Sequence, residues 1–124
     1  MTWKIVRLEL AESVEYPRGS ASRAYILRVP LDDQGRIDQA ELEQSPGDAT
    51  VRRYWPSEPD THGFLVPQVG AWAISLDGHD AAGSHVGFHF SIDTLEVEGR
   101  IIVTQPDGRS LLLRVAKIAE LAEA

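Results

Sequence analysis

The stretch RIIVTQPDGRSLLLRV, residues 100 to 115, restricts what this chain can become more than any other part of it. Two apolar runs flank Pro106, Asp107 and Gly108, an order that suits a tight turn: proline presets its own φ, aspartate tolerates the next position, and glycine accepts positive φ. The pattern predicts a hairpin over residues 98 to 117, with Ile101, Val103, Leu111, Leu113 and Val115 on its inner face. An isolated hairpin is at best marginally stable in water, so further strands must cover that face.

The rest of the chain offers them. WKIVRLEL alternates, with Val6, Leu8 and Leu10 on one side and Arg7 and Glu9 on the other. SRAYILRVP, ended by Pro30, has strand composition, and the loop AESVEYPRGSA between the two makes an early antiparallel pair. ATVRRYW, FLV, GAWAISL and VGFHFSI read as further strands, and PSEPDTHG as a long turn whose prolines and Gly63 oppose regular pairing.

Helical signals are few. In DQAELEQSPG, Asp38 is placed to cap a helix over about 38 to 45, with Glu41 bonding back to it, Ala40 and Leu42 facing inward, and Pro46 and Gly47 ending it. The tail AKIAELAEA has helix propensity, and Ile118 and Leu121 lie three apart, which predicts a short C-terminal helix. The expected fold is mainly β, a single domain over residues 1 to 124. It is a small antiparallel β-barrel or β-sandwich of seven or eight strands with those one or two helices. A sandwich would leave edge strands, and pairing them across a two-fold axis predicts a homodimer.

Charge narrows the partners. Twelve basic residues against nineteen acidic ones leave −7, a field that repels nucleic acid and anionic membrane surfaces at long range. No apolar run reaches membrane-spanning length, and the N-terminus lacks the uninterrupted apolar core of a signal peptide, so a cytoplasmic protein is expected. With no cysteine, thiolate metal sites and cysteine nucleophiles are excluded. Ten arginines against two lysines agree with a GC-rich bacterial coding sequence.

DGHDAAGSHVGFHFSID, residues 77 to 93, holds three of the four histidines. On a strand, His85 and His89 stand roughly 13 Å apart, too far to share an ion at metal–nitrogen distances of about 2 Å. A looser cluster of His79, Asp80, His85 and His89 is the alternative, and it would make the protein a metal-assisted or acid–base enzyme. Ser84 beside His85 is no dyad, because neighbours on an extended chain point apart, and no nucleophile elbow occurs. RGSASR lacks the following helix of a phosphate loop. No motif implies a cofactor.

RRYWPSEPDTHGF, residues 52 to 64, concentrates aromatic and charged side chains around a proline-rich loop. Loops on a rigid β scaffold commonly carry recognition residues, so Arg53, Tyr54, Trp55, His62 and Phe64 form the candidate ligand-binding set, beside the loop from His79 to His85. The competing reading has Trp55 and Phe64 closing the core. The function expected is a non-catalytic binding or interaction module, working without a cofactor on a small molecule or a protein. The net charge disfavours polyanions unless local arginines such as Arg52 and Arg53 dominate.

Overall fold

The computed structural model describes residues 2–14, 16–57, 60–68, 71–76, 89–90, 95–104 and 110–120. Eight antiparallel strands follow one another in chain order and close into a barrel. They are β1 Thr2–Leu10, β2 Ser20–Leu31, β3 Thr50–Tyr54, β4 Thr61–Gln68, β5 Ala71–Leu76, β6 His89–Phe90, β7 Arg100–Thr104 and β8 Ser110–Glu120. Of the two expected architectures, the barrel is therefore the one formed. Among the described residues the closure runs through the short β6, which meets β5 at Trp72 and Ala73 and β7 at Thr104.

Alternation places the core as expected. Val6, Leu8 and Leu10 of β1 are buried, as are Tyr25, Leu27, Val29 and Leu31 of β2. Cross-strand pairs carry this inner face around the barrel in rows, one running Leu8, Tyr25, Arg53 and the next Val6, Leu27, Val51, Gly63. An eight-stranded barrel is just wide enough for side chains to fill, and one contiguous apolar cluster occupies it. The outer face carries ion pairs instead, with Glu9 reached by Arg7 at 2.6 Å and Arg114 at 3.4 Å, and Glu98 by Arg114 at 3.0 Å. Among the described residues no helix is long and apolar enough to cross a membrane.

The C-terminal hairpin forms as read. β7 pairs with β8 from Arg100 opposite Arg114 to Thr104 opposite Ser110, and Ile101, Val103, Leu113 and Val115 are buried, with Leu111 partly so. Its turn, Pro106 to Gly108, lies outside the described residues. The expected C-terminal helix is corrected over Ala116–Glu120, which continue β8, with Lys117–Glu120 pairing with β1, Val6 opposite Ile118 and Lys4 opposite Glu120. The hydrogen bonds that close the barrel outweigh the local helix propensity of AKIAE. Leu121 lies outside the described residues.

The helix α1, Gln39–Gln44, has its expected cap, the Asp38 carboxylate accepting from the Glu41 N–H at 3.1 Å. The return bond is not made, because the Asp38 N–H donates to the Pro30 carbonyl at 2.9 Å and so ties the helix start to the end of β2. Leu42 alone is buried, whereas Ala40, two residues and about 200° away around the helix, is exposed. Replacing Asp38 by alanine is expected to cost about 1 kcal/mol, read as a lower urea midpoint at unchanged slope.

Candidate interaction surface on the outer wall

The expected recognition set divides between the two faces of the sheet. β3 has the burial order of a half-buried strand, with Val51 enclosed and Arg52 exposed. Arg53 therefore shares the inner row with Tyr25, and its guanidinium lies 4.3 Å from the centroid of the Trp55 ring. Tyr25 meets Trp55 edge-on, with centroids 6.0 Å apart and planes at 69°. Trp55 is partly buried and packs on the core. Arg53 and Trp55 thus help close the barrel at the end where β3 runs into the turn before β4.

Tyr54, His62 and Phe64 lie on the other side. The turn expected to run through Gly63 stops sooner, since Thr61, His62 and Gly63 already pair with β3. Gly63 is buried here, opposite Val51 on the inner side of the strand. Its outward neighbours are left exposed, Phe64 by 45%. Of the two residues proposed to close the core, Trp55 does so in part and Phe64 does not.

Register assembles these outward residues into rows. Ile26, Arg52 and His62 are directly opposite one another across β2, β3 and β4, and Thr50 and Phe64 across β3 and β4. Ala24 faces Tyr54 in a third row. Adjacent strands lie about 4.8 Å apart, so the central row spans about 10 Å. The Arg52 guanidinium stands 6.0 Å from the Tyr54 ring and Arg28 stands 6.0 Å from the Trp3 ring. A shallow concavity lies between Arg52, His62 and Phe64.

The charge of this wall differs from that of the whole. β2, β3, β4 and β5 contain Arg23, Arg28, Arg52, Arg53 and His62, and none of the nineteen acidic residues. Arg23 and Arg53 point to the inner side, over Tyr16 and Trp55 respectively. Arg28, Arg52 and His62 remain outside, with no ion pair among the described residues. On the β1 side the wall ends at Glu9, which Arg7 and Arg114 already neutralise. Each position is legible as a residue type, but the shared face depends on the start of β4, which the sequence reading placed too late.

Other features do less. A polar hollow at the α1 end of the barrel is bounded by Lys4, Asp32, Asp33, Glu96 and Glu120. The Asp32 carboxylate is committed to its own turn, accepting from the N–H groups of Gln34 and Arg36 at 2.8 and 3.0 Å. Those bonds, Arg36 first, hold its pKa below the ordinary aspartate value. No group of three metal-ligating side chains gathers among the described residues. His79, Asp80 and His85 lie outside them, while His89 belongs to β6, where it pairs with Ala73 and Thr104.

Fold and surface together define a mainly β barrel with one contiguous apolar core among the described residues and four neighbouring strands free of carboxylates on an acidic molecule. Comparison with protein-family models, curated proteins and solved structures finds no match to this chain.

Proposed function

We propose that the protein is a non-catalytic binding module that works through the outer wall of β2–β5. The observation that carries this reading is Phe64, an aromatic ring 45% exposed on a regular strand, beside Arg52 and His62. Burying such a ring against a partner is favourable at about 25 cal/mol per Å2 of apolar surface. A cation beside it adds direction to that contact. Because the barrel interior is occupied by its own core, the working surface is outside it.

Anilinonaphthalene sulfonate, an anionic aromatic dye, is a direct probe of an exposed ring beside a cation. The native protein is expected to enhance its fluorescence, and Phe64→Ser to lose most of that enhancement while remaining folded by circular dichroism. Equal dye binding by both proteins would remove the wall as a binding surface.

A further inference from the structure

We infer that the outer wall of β2–β5 docks an extended acidic segment of another protein, its carboxylates against Arg28, Arg52 and His62 and one apolar side chain on Phe64. The inference rests on the binding-module reading above and adds the chemistry of the partner. Charge complementarity selects that partner. In a chain with nineteen acidic residues, four neighbouring strands carry none, and their outward cations lack carboxylate partners among the described residues.

Geometry limits the partner further. Arg52 and His62 stand opposite each other on adjacent strands, and Thr50 and Phe64 stand opposite each other in the next row, so charge and ring lie within reach of one short segment. A nucleic acid strand fits less well. It needs several bare stacking platforms and a long basic track, whereas the Tyr54 ring already faces Arg52 and the whole molecule carries −7. A few carboxylates on a peptide meet the local cations without the charge density of a phosphate backbone.

The test is an amide chemical-shift titration with the blocked peptide Ser-Glu-Glu-Phe-Glu-Glu-Ser and with counterparts carrying glutamine or lysine at the four glutamate positions. The glutamate peptide is expected to shift the amides of Ile26, Arg52, His62 and Phe64 and to bind at least about tenfold tighter than the glutamine peptide. Raising salt from about 0.05 to 0.5 M should weaken it severalfold. Arg52→Glu, an exposed change that leaves the fold intact by circular dichroism, should abolish the preference. Equal affinity for the glutamate and glutamine peptides would overturn the inference, as would tighter binding of oligothymidylate at the same amides. A self-association in the native protein that Arg52→Glu dissolves would assign the wall to a second copy instead. Dye binding without peptide binding would sink the acidic partner alone, and loss of both would sink the binding-module reading with it.

Discussion

Gly19→Val is expected to cost at least about 3 kcal/mol, the largest effect of any glycine substitution argued from this structure. Gly19 closes the connection between β1 and β2, its N–H donating to the Tyr16 carbonyl at 2.8 Å. It does so at φ +71°, in the left-handed region that a β-branched residue rarely adopts. A Cβ at that position would stand 2.6 Å from the Leu10 carbonyl oxygen, so the backbone of β1 would have to move as well. Gly47 is the control, because a Cβ there meets nothing within 4 Å. Urea unfolding of Gly19→Val and Gly47→Ala should show a large drop in midpoint for the first and little change for the second. Similar midpoints would show that the β1–β2 connection does not depend on that conformation.

Trp55→Ala should lower stability by about 3 kcal/mol, within the usual cost of truncating a large aromatic side chain in a core. Removing the indole takes away the surface on which the Arg53 guanidinium lies and the edge-on partner of the buried Tyr25 ring. Arg53→Met keeps an aliphatic side chain of similar length over the ring and should cost less than Trp55→Ala, which separates packing from charge. A Trp55→Ala loss below about 1 kcal/mol would return that residue to the solvent-facing role first considered for it. Phe64→Ser, only nine positions further along, should cost less than Trp55→Ala, because the Phe64 ring is 45% exposed on the outer face whereas the indole packs on the core.

The strands were legible where period-two alternation ran unbroken, as in residues 3 to 10 and in the two arms of the C-terminal hairpin. Errors arose where the period was interrupted. In β8 the inner residues are Leu113, Val115 and Ile118, because the ladder with β1 shifts register between Arg7 and Leu8 and passes over Ala116. A spacing of two followed by three looks like the start of a helical period, and the alanine-rich composition strengthened that appearance. At Thr61–Gly63 the difficulty was glycine, which alone signals a turn but here occupies a buried strand position opposite Val51. The Pro17 and Gly19 loop was read correctly from the same punctuation that predicts the turn at Pro106 to Gly108. The candidate surface was half visible. Tyr54, His62 and Phe64 were singled out for composition, but Arg28 is distant in sequence and joins them only through the pairing of β2 with β3.

The seam between β1 and β8 bears on how the molecule reaches its native state. Lys4 pairs with Glu120 and Val6 with Ile118, contacts that join the most distant parts of the described chain. Such pairings fix a long loop before they return any stabilisation, so they slow folding relative to a fold built from neighbouring contacts. Since β8 follows every other strand, β1 is synthesised first and waits longest for its second partner. During that interval its hydrogen-bonding edge and the apolar row Val6, Leu8 and Leu10 are open to other chains. The chain is thus most vulnerable to aggregation just before its last strand arrives to pair with β1.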